Sequence, residues 1–260
     1  MTLKMTDKMP RAALVTGAGK RIGRAITLML AENGWAVAVH YNHSAGEAET
    51  VAAEIRDKGG KAVAVRADLA KEAEVETLVP ASVEALGPLG CLVNNASTFE
   101  YDSIATATRA SWDHHIEANL RAPFLLTQRF AAQLPGEAEG AVINMIDERV
   151  WNLTPHFATY TVSKAGLWTL TQTLAMALAP RIRVNAVGPG PALPSIHQSE
   201  AEFAAQCASM PLKRGTSPEE IAEAIRFILS ARAMTGQMIA LDGGQHLGWA
   251  QPRPSEETID

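Results

Sequence analysis

The residues best suited to chemistry in this sequence are a tyrosine and a lysine that stand four positions apart. Tyr160 and Lys164 belong to the segment Tyr-Thr-Val-Ser-Lys, and Asp147 precedes the tyrosine by thirteen residues. Positions i and i+4 share one face of a helix, so we expect the ammonium of Lys164 near the phenol of Tyr160. Because a neighbouring cation favours the phenolate, we expect the pKa of Tyr160 to fall below its reference value of about 10. Such a tyrosine can exchange a proton with a substrate near neutral pH.

Asp147 is the less usual member of this set, because it follows the apolar run of residues 141–146. A carboxylate at the end of a buried strand is poorly solvated, and we expect Asp147 to share in protonation with Tyr160. Each feature also has a simpler interpretation. A Tyr–Lys pair at this spacing occurs on ordinary helix surfaces, and Asp147 can be a loop residue without a catalytic role.

A glycine-rich turn connects the first apolar strand to the first helix. Its sequence over residues 16–23 is Thr-Gly-Ala-Gly-Lys-Arg-Ile-Gly. Unpaired N–H groups and the helix dipole make such a turn an anion site, in which Gly17 permits the turn and Gly23 permits close helix packing. A P-loop is excluded, because Arg21 stands where Ser or Thr is needed. The turn therefore predicts binding of a dinucleotide.

The end of the second strand indicates which dinucleotide binds. It reads His40-Tyr-Asn-His-Ser44 and holds no carboxylate, whereas an NAD site needs Asp or Glu to bind the ribose hydroxyls. Arg21, His43 and Ser44 can hold a 2′-phosphate instead, and the planar fork of arginine suits that role. The sequence therefore predicts NADPH in preference to NADH. The simpler interpretation is a polar turn with a solvent-facing arginine.

Short apolar strands alternate with amphipathic helices along the chain. Near-continuous apolar strands indicate a parallel sheet covered on both faces, and right-handed crossovers make it doubly wound. The predicted fold class is α/β, a Rossmann-like doubly wound parallel sheet of about seven strands with helices on both faces. Strands are predicted over residues 12–16, 36–40, 62–66, 91–94, 142–145, 182–187 and 238–241. Helices are predicted over about residues 21–33, 45–58, 72–86, 111–133, 159–178 and from 217 onward.

The chain shows no composition shift that would divide it into several domains. We expect one domain over residues 11–249, with polar tails at 1–10 and 250–260. Residues 191–210 follow no clear pattern and are predicted to form a mobile lid over the substrate.

Composition and charge restrict which partners and which cellular compartment we expect for the protein. A net charge of −5 and a pI near 5.8 argue against nucleic acid or an anionic membrane as a partner. Cys91 and Cys207 are far apart, which predicts free thiols in a reducing compartment. Residues 1–11 lack the apolar core of a signal peptide and no apolar run reaches the length of a membrane span, so we expect a cytosolic protein. Adjacent His114 and His115 point to different helix faces, so no metal site is predicted.

Taken in order, these motifs resemble those of the short-chain dehydrogenase/reductase family over nearly the whole chain. The matching segments are the glycine turn, Asp68-Leu69, Asn94-Asn-Ala96, Asn119 in Ala-Asn-Leu-Arg-Ala-Pro-Phe, the Tyr160/Lys164 pair, Gly188-Pro-Gly190 and Leu241-Asp-Gly-Gly244. The resemblance implies that Asp68-Leu69 holds the adenine and that Asn95-Ala96 backs the cofactor. It further implies that Lys164 binds the nicotinamide ribose and that Asn119 anchors a proton-relay water.

The chain departs from most family members at two positions, carrying Arg21 where glycine is common and Asp147 where serine is common. Both departures resemble the pteridine reductase branch, which includes dihydromonapterin and dihydrofolate-type reductases. In that branch Ser97 and Phe99 would contact a pterin ring, which stacks between the aromatic side chain and the nicotinamide. The alternative is an inactive enzyme that has lost its serine, and the retained motif residues argue against it.

These two lines of argument give the predicted site residues. The predicted catalytic residues are Asn119, Asp147, Tyr160 and Lys164, and the predicted substrate-binding residues are Ser97, Phe99, Asp147 and Tyr160. The predicted cofactor-binding residues are Gly17, Arg21, Ile22, Gly23, His40, Tyr41, Asn42, His43, Ser44, Asp68, Leu69, Asn95, Ala96, Ser97, Tyr160, Lys164, Pro189 and Gly190.

The resemblance implies an NADP-dependent reductase of a pteridine-like substrate. Hydride passes from NADPH to a C=N or C=O carbon, while Tyr160 and Asp147 handle the proton. Two alternatives stay open, a carbonyl reductase of the 3-oxoacyl thioester, ketone or sugar type and a cofactor-binding regulatory protein without turnover. The resemblance also implies a homotetramer formed through the helices near residues 111–133 and 159–178.

Overall fold

A single parallel sheet organises the protein, whose computed structural model describes residues 6–194 and 198–248. Its strands are β1 (Ala12–Val15), β2 (Ala36–Tyr41), β3 (Ala62–Arg66), β4 (Cys91–Asn94), β5 (Gly140–Met145), β6 (Ile182–Pro189) and β7 (Met238–Leu241). They are hydrogen-bonded in the order β3-β2-β1-β4-β5-β6-β7, and every pairing is parallel. This arrangement confirms the predicted fold class.

Helices cover both faces of this sheet. In the described residues they are α1 (Arg21–Glu32), α2 (Ala45–Asp57), α3 (Glu72–Leu86), α4 (Arg109–Ile116), α5 (Ala122–Gln133), α6 (Ala158–Leu178), α7 (Glu200–Ser209) and α8 (Pro218–Ser230). One apolar cluster joins the sheet to α1, α2 and α8, and a second joins its opposite face to α3, α5 and α6. None of these described helices is long and apolar enough to cross a membrane.

The apolar faces of the helices supply the core. Ile26 and Leu30 of α1 pack with Ile225 of α8 over Val15 and Val37, and all five side chains are fully buried. Burial of an aliphatic side chain contributes about 1.5–3 kcal/mol, so this layer holds the first strands and the glycine turn in a fixed relation.

The strand order reverses beside β1, which pairs with β2 on one side and with β4 on the other. The crossovers to these neighbours leave the sheet in opposite directions, and a crevice opens at the carboxyl ends of the strands. Register places Val15 opposite Val93, and Asn94 opposite Asn144. The ends of β1, β4 and β5 therefore meet at one edge, where ligands bind in sheets of this kind.

The long helix predicted over residues 111–133 is helical throughout, but a π-helical stretch that was not predicted divides it. Helix α4 ends at Ile116, Glu117–Arg121 is π-helical, and α5 begins at Ala122. Pro123 lies in the first turn of α5, where its missing N–H and its ring cannot continue the regular ladder. The widened turn carries Asn119, and such turns are frequent at functional sites.

The segment predicted as a patternless lid, residues 191–210, contains helix α7. Ser199 Oγ accepts a hydrogen bond from the Glu202 N–H, and the Glu202 carboxylate accepts one from the Ser199 N–H. This capping box starts the helix, and the sequence pattern Ser-Glu-Ala-Glu signalled it. No residue of α7 is buried, and residues 195–197 lie outside the described residues. Its role as a lid stays a prediction.

The predicted polar tail at residues 1–10 is partly incorporated in the domain. Met9 is buried in the core cluster, and the Lys8 carbonyl accepts a hydrogen bond from the Glu139 N–H. Apolar Met9 packs there because the chain leads directly into β1. Residues 1–5 and the predicted tail 250–260 lie outside the described residues.

Candidate active site

Tyr160 and Asp147 are directly hydrogen-bonded at the carboxyl end of β5. The Tyr160 hydroxyl donates to Asp147 Oδ2 at 2.9 Å. Asp147 follows the strand in an extended conformation, and its Oδ1 caps a short 3₁₀ helix by accepting from the Arg149 N–H at 2.9 Å. Tyr160 lies in the first turn of α6 and is 5% exposed. The two residues form a polar pair at the edge of a buried sheet.

Lys164 lies one turn further along α6, but its effect on Tyr160 differs from the predicted one. Its ammonium is buried and donates to the Met145 carbonyl at 2.8 Å, 5.7 Å from the centre of the Tyr160 ring. Burial lowers the pKa of Lys164 to about 8, and the Asp147 carboxylate opposes that change. At neutral pH the side chain therefore remains mostly an ammonium.

The prediction that Lys164 lowers the tyrosine pKa is wrong in this arrangement. Burial, followed by the charge and the hydrogen bond of Asp147, raises the pKa of Tyr160 well above 10, and Arg149 only partly opposes this. The charge of a neighbouring carboxylate and the loss of solvent outweigh the nearby cation. Tyr160 is consequently a neutral phenol, the protonation state of a proton donor.

Asn119 joins the π-helical turn to the loop after β4. Its Oδ1 accepts from the Thr98 N–H at 2.8 Å, and its Nδ2 donates to the Thr98 carbonyl at 3.0 Å and to Ser163 Oγ at 3.1 Å. Ser97 also donates to Asn119 Oδ1, at 3.2 Å. Both polar atoms of the amide thus bind protein groups and position the loop. The water-anchoring role of Asn119 stays a prediction.

The glycine turn is fixed against the end of β4. Thr16 Oγ1 accepts from the N–H groups of Asn95 and Ala96, both at 2.9 Å, and Asn95 Nδ2 donates to the Thr16 and Gly17 carbonyls. A Cβ at Gly23 would lie 2.0 Å from the Gly17 oxygen, so only glycine fits. The predicted reason for this glycine is therefore correct. Thr16 itself was not among the predicted site residues.

The first turn of α1 retains the character of an anion site. The side chain of Lys20 at the N-cap makes no hydrogen bond to the first turn. The N–H groups of that turn therefore face the crevice without a side-chain capping partner. At the end of β2, the buried Asn42 Oδ1 has no hydrogen-bond partner. The N–H groups of the turn fit a phosphate, whereas the Asn42 oxygen is an acceptor and fits a hydroxyl or amino donor of a ligand.

His40 positions this turn from beneath. Its ring is buried, Nδ1 accepts from the Gly17 N–H at 3.0 Å, and Nε2 lies 3.0 Å from the Ala67 carbonyl. Burial lowers the pKa of His40 to about 4, so the ring is neutral with its proton on Nε2. These contacts position the turn, and direct contact of His40 with a cofactor stays a prediction.

Arg21 adopts a backbone conformation that favours glycine, with φ of 51°. Glycine adopts this conformation without strain, which fits the glycine that the family resemblance implies at this position. Its guanidinium donates to the Pro194 carbonyl at 2.9 Å and to the Leu193 carbonyl at 3.4 Å. Arg21 therefore links the glycine turn to the segment after β6. Its hydrogen bonds to these two carbonyls have to break before the guanidinium can bind a phosphate.

The remaining predicted cofactor residues line the same edge of the sheet. Asp68 accepts from the Ala70 N–H and forms an ion pair with Lys71, while Leu69 is buried. The Gly190 N–H donates to the Leu241 carbonyl, and a Cβ at Gly190 would lie 2.7 Å from Asp242 Cα. The others lie at or just after the end of β2, at the end of β6 and at the start of α1, and are Tyr41, His43, Ser44, Pro189 and Ile22.

Aromatic side chains form the wall beside Tyr160. Phe99 stacks on Phe157 with ring centres 4.5 Å apart, and its edge meets Tyr160 at 4.8 Å. Arg149 covers Phe157, with its guanidinium carbon 4.9 Å from the ring centre. Phe157 thus covers one face of Phe99, and the stack of Phe99 on a substrate stays a prediction. Phe157 was not predicted, and its left-handed backbone at φ 57° gave no signal in the sequence.

The described residues contain no group of three His, Cys, Asp or Glu placed to hold a metal ion. The predicted pair of adjacent histidines is divided as expected. His115 is buried and bonded to Thr159 and to the Glu100 N–H, whereas His114 is partly exposed beside Glu100.

Comparison with known proteins gives matches along almost the whole chain. A family model described as enoyl-(acyl carrier protein) reductase matches residues 17–246. The 3-oxoacyl-[acyl-carrier-protein] reductase of Staphylococcus epidermidis is 36% identical over 244 residues, which cover 92% of this chain and 100% of that protein.

Two solved structures are more similar in sequence. FolM alternative dihydrofolate reductase 1 from Brucella canis, complexed with NADP, is 46% identical with a TM-score of 0.91, covering 95% of this chain and 99% of its own. The Brucella suis structure of the same description, also in complex with NADP, is 45% identical with a TM-score of 0.90, covering 97% and 99%.

Proposed function

Because the chain belongs to the short-chain dehydrogenase/reductase family, we propose that it is an NADPH-dependent reductase of a pteridine-like substrate. The observation that carries the proposal is the 2.9 Å hydrogen bond from Tyr160 to Asp147 at the end of β5. This carboxylate stands where most family members have serine. The 46% identity to a dihydrofolate reductase of this fold supports the same substrate class.

The choice of NADPH rests on the residues at the end of β2 and on the similar solved structures. That strand end carries His43 and Ser44 but no carboxylate to hold an unmodified ribose. The two Brucella structures contain NADP. Gly17, Gly23 and the first turn of α1 would hold the pyrophosphate, and Arg21 would approach the 2′-phosphate. When bound, the cofactor supplies the hydride.

The proton comes from the Tyr160–Asp147 pair. Tyr160 is neutral at physiological pH, and its hydrogen bond to Asp147 lets the two groups share a proton. Lys164 places one of its three N–H donors on Met145, and the others would bind the nicotinamide ribose. We assign Asn119 to positioning the loop of Ser97 and Phe99 against the substrate.

The aromatic wall suits a flat conjugated ring. Phe99 is 37% exposed and borders Tyr160, so a ring that stacks beside it brings its reducible bond close to the proton donor. An offset stack contributes roughly 0.5–1.5 kcal/mol beyond the area that it buries. Ser97, exposed at the entrance of the loop, would provide a hydrogen bond to the ring edge.

A second candidate is reduction of 3-oxoacyl thioesters. The full-length match to the Staphylococcus epidermidis protein favours it. A ketone needs only one proton donor, which Tyr160 provides without Asp147. A regulatory protein without turnover fits less well, because Tyr160, Lys164 and Asn119 are all in place.

Steady-state oxidation of NADPH separates these candidates. The purified protein is assayed with a dihydropterin, dihydrofolate and a 3-oxoacyl thioester at equal cofactor concentration. The proposal expects kcat/KM for a pterin or folate to exceed that for the thioester by tenfold or more. A preference for the thioester would establish the second candidate instead.

We further propose a cytosolic homotetramer with one reductase domain, in which residues 191–210 close over the substrate. The assembly proposal is supported by an apolar groove of about 530 Å³ between α4, α5 and α6. Its lining includes Leu120, Phe124, Gly166 and Leu170, from the same helices that the family resemblance implies at the interface.

A further inference from the structure

Glu148, the residue after Asp147, carries a buried carboxyl group that the proposed mechanism does not use. The residue is 5% exposed, and its Oε2 has no hydrogen-bond partner. Buried polar atoms in folded proteins are nearly always paired, so an unpaired one needs an explanation. Glu148 lines a cavity of about 450 Å³ beside the aromatic wall, which indicates that its partner is a ligand.

Two more unpaired buried atoms belong to residues of the same cavity. They are Arg149 Nε and Gln245 Oε1. Eight such side-chain atoms occur in the described residues, and three of them belong to this one cavity lining. The short helices that carry these residues, Glu148–Val150 and Gln245–Leu247, pack against each other. The concentration in one place indicates a built polar subsite.

The chemistry of the three atoms defines the group that would satisfy them. Gln245 Oε1 accepts hydrogen bonds and Arg149 Nε donates one. Burial and the Asp147 charge raise the pKa of Glu148 to about 8, so at neutral pH its carboxyl is mostly protonated and can both donate and accept. Arg149 Nε already lies 4.0 Å from Asp147, which offsets its charge. The set therefore suits an uncharged group with N–H or O–H donors and an oxygen acceptor.

We propose that Glu148, Arg149 and Gln245 form a specificity subsite that binds an uncharged hydrogen-bonding group of the substrate, away from the reacting carbon. The inference rests on the proposed function. Two parts of a pterin have this chemistry, the amino-oxo edge of the ring and a hydroxylated side chain attached to it. An alkyl acyl chain has no such donors, so the subsite discriminates against simple acyl substrates.

The cavity lies beside the reaction centre, although neither Tyr160 nor Asp147 belongs to its lining. Phe157 lines it and stacks on Phe99, which in turn contacts Tyr160. Met210 and Pro211, beyond α7, form part of the opposite wall. Because Glu148 directly follows Asp147, we expect a substrate bound at Glu148 to extend from the Tyr160–Asp147 pair toward Met210 and Pro211, at the end of the segment predicted as a lid.

Kinetics of full-length variants test the subsite. Glu148→Leu keeps the bulk but cannot hydrogen-bond, and Glu148→Gln keeps a donor and an acceptor. Glu137→Leu, at an exposed position before β5, is the control. Each is assayed with 6-hydroxyalkyl and 6-methyl dihydropterins. We expect Glu148→Leu to raise KM about tenfold or more with kcat changed less than about threefold, and Glu148→Gln and Glu137→Leu to stay within about threefold.

The substrate pair separates the two sources of the bound group. A rise in KM of Glu148→Leu with both dihydropterins shows that the subsite binds the ring edge. A rise in KM with the hydroxyalkyl compound alone shows that it binds the side chain. Gln245→Leu gives the same readout if Glu148→Leu does not fold. Pterin turnover with unchanged KM in the leucine variants would overturn this assignment alone. Absence of pterin turnover by the unmodified protein would overturn the proposed function and this assignment with it.

Discussion

Single residues with unusual surroundings decide the chemistry of this site. The Asp147 carboxylate accepts a hydrogen bond from the Tyr160 hydroxyl at 2.9 Å. Burial of Tyr160, together with the charge and the hydrogen bond of Asp147, raises the pKa of Tyr160, so the tyrosine is a neutral phenol at neutral pH. Lys164 does not lower the pKa of the Tyr160 phenol. It instead places a buried ammonium in the site, which donates a hydrogen bond to the Met145 carbonyl.

Replacing Arg21 by glycine tests the cofactor assignment at a single residue. We expect Arg21→Gly to raise the Kd for NADPH by about tenfold or more, because a hydrogen bond to a charged group contributes roughly 1.5–3 kcal/mol. NADH affinity should change by less than about threefold. The φ of 51° favours glycine, so the melting temperature should not fall.

Cofactor titration by fluorescence measures both affinities, and Arg24→Ala on the same helix is the matched control. Arg24 forms a surface ion pair with Glu54 and has no predicted role in binding. Equal affinities of the unmodified protein for NADPH and NADH would contradict the assignment.

Glu148 makes the stability of the protein depend on pH. Burial and Asp147, joined by Asp242 and opposed by Arg149, raise its pKa from 4.5 to about 8. Between these values the folded protein binds a proton that the unfolded chain has released, so the free energy of unfolding falls as pH rises through this window. Glu148→Gln removes this contribution, which is at most about 1.4 kcal/mol per pH unit.

Urea unfolding of both proteins at pH 5 and pH 8 measures the effect. We expect the glutamine variant to gain stability relative to the unmodified protein as pH rises, with little further gain above pH 8. Parallel pH curves for the two proteins would show that Glu148 is ionised in the folded state.

At the scale of elements, the sequence predicted where the strands and glycine turns lie because both depend on local rules. Continuous apolar runs indicated strands buried on both faces, and Gly23 indicated a close approach that a Cβ would block. The π-helical stretch around Asn119 has a local cause in Pro123, whose effect on the helix was not predicted. The left-handed backbone of Phe157 has no local sequence signal, which is why it was not predicted.

The same limit applies to the candidate site. The motif residues Asp147, Tyr160 and Lys164 were predicted to share one site, and the structure brings them together. The direction of the tyrosine pKa was predicted wrongly, because desolvation depends on how loops close over α6. Glu148 and Gln245 lie almost one hundred positions apart, so their common cavity could not be predicted from spacing.

Asp102 anchors the start of α6 and therefore the position of Tyr160. Its carboxylate accepts from the Thr159 N–H and hydroxyl and from Ser111, and it is 2% exposed. We expect Asp102→Ala to lower the free energy of unfolding by about 2–4 kcal/mol, since buried donors lose a charged acceptor. It should also lower kcat more than it raises KM, because Tyr160 follows Thr159 directly.

Chemical denaturation and steady-state kinetics test this prediction together. Asp113→Ala is the control, because Asp113 forms an exposed ion pair with Arg109, a kind of contact that contributes about 0–1 kcal/mol. Equal stability of the two alanine variants would contradict the anchoring role.

At the scale of the whole molecule, the proposed tetramer would cover the apolar groove between α4, α5 and α6. We expect the unmodified protein to have a solution mass of about four times its 27.8 kDa chain. Leu170→Arg places a charge in the groove and should shift the mass to dimer or monomer, because an unpaired charge is costly to bury.

Light scattering coupled to size exclusion measures the mass. Thr50→Arg, at an exposed position on α2, should leave it unchanged. A monomer at micromolar concentration in the unmodified protein would rule out the tetramer.

The central claim is that Asp147 acts with Tyr160 in protonating a pteridine-like substrate, and the pH dependence of kcat in Asp147→Asn tests it most directly. Asparagine keeps the shape and a hydrogen bond but cannot titrate, so we expect kcat with a dihydropterin to fall about 10²–10⁴-fold and one limb of the pH profile to disappear. Tyr160→Phe should abolish turnover while NADPH binding persists, and Asp147→Ser should lose pterin activity. An asparagine variant with an unchanged rate and an unchanged pH profile on a dihydropterin would contradict the account and make Asp147 a structural residue.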